Sequence, residues 1–477
     1  MRNVWKLREI LAGDKDNLEK VHVHSVELIE KSGIKFHSDK ALEILDDAGA
    51  EIVGNTAKIP GPVIESALEK APHSFQLCAR DPGFDLLLDG GHTYYSQDGC
   101  AAFTLDFESG VRRQSRKDDI EKMALISDFL DSIDIISPTV SAQDVPAGGI
   151  AVHELEACFI HSRKHVLTES VANARAARSQ IELAAAVVGG KEELRKRPIF
   201  SNFVCSVSPL AQDPGGIEAA LEFARADIPV GIYPMATAGV TSPITLAGTL
   251  AVVNAEVISA LALVQLAVPG AKVSYAGGPA TLDLRTGSYT AGSPEALWLR
   301  MMVAKMAGFY GLPSIVGAGA TSAKVPGAQA AWENALSFIL PSLAGAGILF
   351  GLGLLDGSNL LAYEQIILDA EIAAVVRRIL SEVDFDEGAF AMDLIRKLGP
   401  GGVYLGQKHT VDHMREAISL PMLSDRDSYG EWSRKGKLDR RQAARKKAEE
   451  ILAEHRPPPF PENVKKEMKE VVEAYSR

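Results

Sequence analysis

Two periods alternate along most of the chain. Short apolar runs lie at 93–96, 133–137, 165–168, 199–204, 230–234, 272–276, 314–317 and 348–351. They have the length and bounding turn residues of strands. Between and after them, 118–130, 151–162, 174–188, 216–226, 294–310, 328–343 and 363–380 repeat their apolar residues at helical spacing. Strands alternating with helices predict a parallel sheet, and eight such units predict closure into a (β/α)8 barrel. No G-x-G-x-x-G follows the first strand, which counts against an open, doubly wound sheet.

The flanks read differently. Residues 16–72 are predicted helical, with Leu18, Val21, Leu28 and Ile29 on one face, Gly33 as a stop and a second helix over 38–48. The segment 84–112 suggests short strands and a hairpin. The tail is helical and charged, with Pro457-Pro-Pro-Phe-Pro before a last short helix. The expected division is an N-terminal helical and β extension over 1–90, a barrel over 91–383 and a helical extension over 384–477.

The longest apolar stretch, 250–268, contains Asn254, Glu256 and Gln265. Those polar residues point to a buried barrel helix rather than a membrane span. A formal charge of −12 argues against a nucleic-acid surface. Cys78, Cys100, Cys158 and Cys205 are scattered, and residues 1–14 lack the apolar core of a signal peptide. Both observations suit a reducing cytoplasm.

The predicted strand ends are rich in small residues: Ala276-Gly-Gly-Pro-Ala, Gly317-Ala-Gly-Ala-Thr-Ser and Gly351-Leu-Gly. In a barrel these ends form the functional face, where glycine permits a tight turn or close approach to a ligand.

Several longer stretches carry a family resemblance. They include Ser32-Gly-Ile-Lys-Phe-His, Asp47-Ala-Gly-Ala, Ala79-Arg-Asp-Pro and Asp106-Phe-Glu-Ser-Gly-Val-Arg-Arg. Further on come Thr321-Ser-Ala-Lys-Val-Pro-Gly-Ala-Gln-Ala, Leu343-Ala-Gly-Ala-Gly and Glu364-Gln. Over nearly its whole length the chain resembles the trimethylamine methyltransferase family, including its glycine-betaine branch. The resemblance implies a (β/α)8 barrel that gives its substrate's methyl group to a corrinoid (methylcobalamin/Co(I)) on a separate protein. Archaeal trimethylamine members carry pyrrolysine near the end of a late strand, whereas 316–322 here holds only ordinary small residues. That departure favours a quaternary amine such as glycine betaine; carnitine, proline betaine and trimethylamine are the alternatives. Implied partners are the cognate corrinoid protein and a small quaternary amine, with a homo-oligomer expected and neither nucleic acid nor membrane.

A quaternary ammonium carries its own activation, because loss of a methyl leaves a neutral amine. No Lewis acid is then required, and no metal of the chain's own is expected. His409 and His413 stand four apart without a third ligand nearby in sequence. Holding such a cation calls for aromatic faces and a carboxylate. Candidates are Tyr94, Tyr95, Gln97 and Asp98 at the first strand, then Tyr233, Tyr275 and Phe350 at later ones. Asn202 could bond a substrate carboxylate beside Phe203. Side chains alternate along a barrel strand, so only one of Tyr94 and Tyr95 can point inward. Glu169 is a further substrate candidate, Glu333 reads as a solvated helix residue, and Lys324 and Gln329 read as loop packing. Two other functions fit the same pattern: a Schiff-base lyase using Lys272 or Lys324, and a non-catalytic betaine-binding barrel. Lys272 begins its strand, the wrong end for catalysis.

Overall fold

The computed structural model describes residues 15–97, 99, 101–169 and 171–476. Eight parallel strands close into one barrel: β1 (Tyr94–Gln97), β2 (Ile135–Ile136), β3 (His165–Thr168), β4 (Phe200–Cys205), β5 (Val230–Tyr233), β6 (Val273–Gly277), β7 (Ser314–Gly317) and β8 (Ile348–Leu352). Each pairs with its chain neighbours, and β8 pairs with β1. The major helices that follow them in turn are α1 (Lys117–Phe129), α2 (Ile150–His161), α3 (Ala174–Val188), α4 (Pro214–Arg225), α5 (Leu246–Ala267), α6 (Pro294–Tyr310), α7 (Ala328–Leu343) and α8 (Tyr363–Leu380).

Alternation along the strands builds two cores. The inner one gathers Ile135, Leu167, Phe203, Tyr233, Ala276, Ile315, Ile348 and Phe350. An antiparallel hairpin, Phe75–Leu77 with Leu86–Leu88, adds Phe75, Leu77 and Leu88 to it from the N-terminal end of the strands. His165 is buried at that plugged end, between the Cys78 carbonyl (2.6 Å) and the Ser201 hydroxyl (2.8 Å). Burial pushes its imidazole down to about 4, so it is neutral at pH 7. The outer, larger core lies between strands and helices and joins the N-terminal extension, whose helices Lys15–Lys31 and Gly61–Leu68 pack on α5.

The polar residues of α5 all have partners, which is why this apolar helix suits the interior. Asn254 accepts from Tyr275 (2.9 Å) and donates to Tyr310 (3.0 Å). Gln265 bonds the Ala271 carbonyl and the Gly270 amide across the turn before β6. Glu256 receives the Ser206 and Ser208 hydroxyls and the Leu210 amide, fixing the loop after β4. Leaving such groups buried and unmatched would cost on the order of 1–3 kcal/mol each.

Two further devices hold the loops at the C-terminal ends of the strands. Asp119 of α1 is fully buried and takes a two-pronged bond from Arg113 (2.8 Å each) and another from Tyr363 of α8 (2.7 Å). This locks the hairpin Phe103–Leu105/Arg112–Gln114, whose turn is the family-like Asp106–Arg113 stretch. Burial raises the Asp119 carboxyl, but the Arg113 and Tyr363 bonds outweigh it and hold the group below its usual range. At β8, the pairing with β1 shifts register between Phe350 and Leu352. Asp369 anchors the chain just beyond, accepting from the Gly353 amide, Asn334 and Gln365. Burial pushes its carboxyl up to about 7.

After α8, helices Met392–Leu398, Lys408–Ala417 and Tyr429–Arg434 bury no side chain. The last two, Arg440–Glu454 and Glu462–Tyr475, pack outside the barrel on α8 and α1, and on α3 and α2.

Gly351 sits in the shifted register with φ of +149°, and a Cβ there would meet the Ala318 carbonyl oxygen at 1.5 Å. Gly345 also has positive φ (+87°), yet a Cβ there would meet nothing within 4 Å. Gly351→Ala is therefore expected to destabilise by about 3 kcal/mol or more, combining strain and overlap. Gly345→Ala should cost only about 1 kcal/mol. Thermal unfolding of both variants checks the difference, and equal losses would mean that β8 can relax away from β7.

Candidate active site

A cavity of about 630 Å³ lies at the C-terminal ends of the strands, within the size range of small-ligand sites. Its wall runs from Glu169 and Val171 after β3, through Cys205 and Ser206 at β4, Tyr233 at β5 and Gly317 at β7, to Phe350 at β8. Tyr289, from the strand Tyr289–Thr290 in the loop after β6, and Arg300 of α6 complete it.

Its floor is aromatic. Phe203 stacks on Tyr233 with ring centroids 4.6 Å apart and stands edge-on to Phe350 at 4.9 Å. Tyr233 and Phe350 meet at 6.0 Å and 70°, and both line the cavity. The small residues at the strand ends make this possible. A Cβ at Gly278 or Gly317 would lie 2.3 or 2.4 Å from the Tyr233 hydroxyl oxygen. Two aromatic side chains at an angle offer a cation about 0.5–2 kcal/mol each.

The opposite character appears at Arg300. It is 2 % exposed, and its Nη2 donates to the Tyr289 hydroxyl at 3.4 Å. Its Nε and Nη1 have no hydrogen-bond partner among the described residues. Glu169, buried after β3, stands across the barrel, since β3 and β7 are diametrically placed and α6 packs on β6 and β7. The cavity thus joins aromatic faces, a carboxylate and a guanidinium. Among the described residues, no three His, Cys, Asp or Glu side chains converge as metal ligands.

Of the residues chosen from sequence, Phe203, Tyr233 and Phe350 come together as the aromatic floor. Tyr94 also points inward, but at the plugged end, where its hydroxyl donates to the Leu87 carbonyl (3.0 Å). Four others face the helix layer and do not line the cavity. Tyr95 packs edge-on to Phe338 of α7, 3.5 Å from the Ser342 hydroxyl. Gln97 donates to Ser127 of α1 and accepts from the Ser137 amide. Asn202 bonds the Thr168 carbonyl and hydroxyl. Tyr275 lies in mid-strand, bonded to Asn254 and stacked on Tyr310. Period-two alternation turned these four outward. Asp98 lies outside the described residues.

Glu333 is half-buried rather than solvated. It receives the Thr321 hydroxyl, the Ser322 amide and the Gln329 amide, holding the loop after β7. Lys324 ties that loop to the next through Asp356 (3.0 Å), and Lys272 pairs with Asp227 (2.7 Å) before its strand. His409 and His413 stack on an exposed helix remote in sequence from the barrel strands. Sequence reading missed Arg300 and Tyr289. The signal for Arg300 was present, since it is the one charged residue in the apolar run 296–304.

The sequence profile of the trimethylamine methyltransferase (MTTB) family matches residues 3–476. Trimethylamine methyltransferase MttB of Desulfitobacterium hafniense (strain DSM 10664 / DCB-2) is 34% identical over 97% of this chain and 94% of its own length. The enzyme of the same name from Methanosarcina barkeri is 34% identical over 96% and 94%. Glycine betaine methyltransferase of Desulfitobacterium hafniense (strain Y51) is 33% identical over 93% and 92%. Among solved structures, the hydroxylamine MtmB complex superposes with a TM-score of 0.51 at 14% identity, covering 76% of this chain and 74% of that one. That likeness concerns the fold alone.

If the aromatic floor holds a cation, Tyr233→Leu should weaken tetramethylammonium binding about tenfold, while Tyr233→Phe stays near wild type. Tyr275→Phe should leave binding unchanged and cost about 1 kcal/mol of stability through the lost bond to Asn254. Calorimetric titration and thermal unfolding separate the two tyrosines. A binding loss at Tyr275 with none at Tyr233 would reverse the assignment.

Proposed function

The chain belongs to the trimethylamine methyltransferase family, and from that premise we propose that it moves a methyl group from a glycine-betaine-like quaternary amine to the Co(I) corrinoid of a partner protein. The observation that carries this reading is the aromatic pair Tyr233 and Phe350 facing the cavity on a Phe203 base. Such faces attract a methylated cation without forming bonds to it, so the methyl remains open to attack. The corrinoid supplies the nucleophile, the reduced cobalt; the chain's own residues bind the cation, aim one methyl outward and keep water away. A neutral tertiary amine is released, so no proton need be delivered to the leaving nitrogen.

The rim suits a docked partner. Val207, Met235, Val240, Leu284 and Val325, from the loops after β4, β5, β6 and β7, are exposed apolar side chains around the cavity. Singly such residues are ordinary, but Val207 and Met235 line the cavity itself, and the others stand on loops at the same ends of the strands, which favours a protein or macrocycle surface. Gly317, Ala318 and Ala320 line the cavity and fall in the stretch that the resemblance matches to the pyrrolysine region of archaeal trimethylamine members, and none offers a reactive side chain. This favours the betaine branch, which identities of 33–34% to both kinds of relative do not separate. A Schiff-base lyase is disfavoured, because neither Lys272 nor Lys324 is among the residues that line the cavity.

Incubating the protein with a reduced corrinoid protein and glycine betaine should give methylcobalamin and dimethylglycine in equal amounts. Chelators should leave the rate unchanged, since a quaternary nitrogen needs no Lewis acid. Methylation from trimethylamine but from no quaternary amine would sink the betaine reading.

A further inference from the structure

We infer that Arg300, seated by Tyr289, is an anion-binding residue that selects amines bearing a carboxylate tail. The inference rests on the cation-site reading above and adds the other half of the substrate to it.

Arg300 lines the cavity at 2 % exposure, yet among the described residues its hydrogen bond is a long one, 3.4 Å to the Tyr289 hydroxyl. Two of its three nitrogens, Nε and Nη1, are buried and have no protein acceptor among the described residues. Buried donors left without acceptors cost free energy that a ligand acceptor would recover. Structural arginines in this chain look different. Arg113 holds Asp119 and Asp106, and Arg197 grips both oxygens of Asp85. A buried, under-bonded guanidinium beside a ligand-sized cavity fits a missing planar acceptor, which a carboxylate supplies two oxygens at a time.

Position favours a zwitterion. Glu169 lines the cavity from the end of β3, across the barrel from α6, which carries Arg300. A ligand with a trimethylated cation against Tyr233 and Phe350 and a carboxylate at Arg300 would use both characters of the one cavity. Trimethylamine has nothing to offer Arg300. A site built to bond a polar group rejects the analogue lacking that group by leaving its own partner unmatched.

Glycine betaine, choline and tetramethylammonium share the methylated cation, and only the first bears a carboxylate. In calorimetric titrations of the full chain, glycine betaine is expected to bind at least ~30-fold more tightly than choline. Arg300→Gln should remove most of that advantage while leaving tetramethylammonium within about twofold. The ligand-free variant should melt no lower than wild type, because removing an unpaired buried charge relieves strain instead of adding it. Unchanged glycine betaine affinity in Arg300→Gln, with tetramethylammonium still bound, overturns the arginine's role and leaves the cation site standing. Equal wild-type affinities for choline and glycine betaine overturn it too, even if the variant fails to fold. If wild type binds none of the three, the cation-site reading falls and this inference with it.

Discussion

Closure of eight short strands into one barrel imposes a single constraint from which the site follows: each strand can send only every second side chain inward. With four to six residues in most strands, that leaves two or three inward positions apiece. On β4 they are Ser201, Phe203 and Cys205, and on β5 they are Gly231 and Tyr233. The lower positions pack against the plugging hairpin, so only the uppermost can address a ligand. Tyr233 and Phe350 reach the cavity because they stand at that height. Tyr94 has the right parity and the wrong height.

A mouth made of loops must be held in place by something other than strand pairing. Here buried and half-buried polar groups on the helices do it, each reaching up to a loop. Glu256 holds the loop after β4, Glu333 the loop after β7, Asp369 the chain after β8, and Asp119 the hairpin after β1. Each makes two or more bonds, as a buried carboxylate must if its desolvation is to be offset. The same accounting marks Arg300 as different in kind. These four carboxyl groups are satisfied by the fold, and among the described residues the Arg300 guanidinium is not.

The barrel was legible because its signal is global. Eight alternations of period are hard to produce by chance, and Asn254, Glu256 and Gln265 correctly placed an apolar helix inside the protein. The site was legible only in part. Phe203, Tyr233 and Phe350 were readable as aromatics near strand ends. Tyr95, Gln97, Asn202 and Tyr275 looked equivalent, because a strand's parity cannot be known until its register is fixed, and a one-residue slip exchanges the two faces. Asn202 falls inside its predicted run, and in β4, which ends at Cys205, its amide faces α3. Arg300 escaped for another reason. It belongs to a helix, and sequence patterns direct attention to strand ends in a barrel. Its position amid Leu297, Leu299, Met301 and Met302 was the clue, since an unpaired charge on the apolar face of a helix requires an explanation.

The two halves of the cavity also differ in what they can discriminate. An aromatic surface binds any methylated ammonium, with an attraction that varies little among tetramethylammonium, choline and betaine. It recognises the group that reacts and is indifferent to what is attached to it. A buried guanidinium is the reverse, blind to the methyl groups and demanding of the tail. Attachment at the tail fixes where the nitrogen sits, and the aromatic walls then limit how it can tilt. Methyl transfer in line with a departing amine needs both restraints, because a cation held by faces alone can tumble. On this view substrate choice and methyl aim come from the same pair of contacts, both lining one cavity.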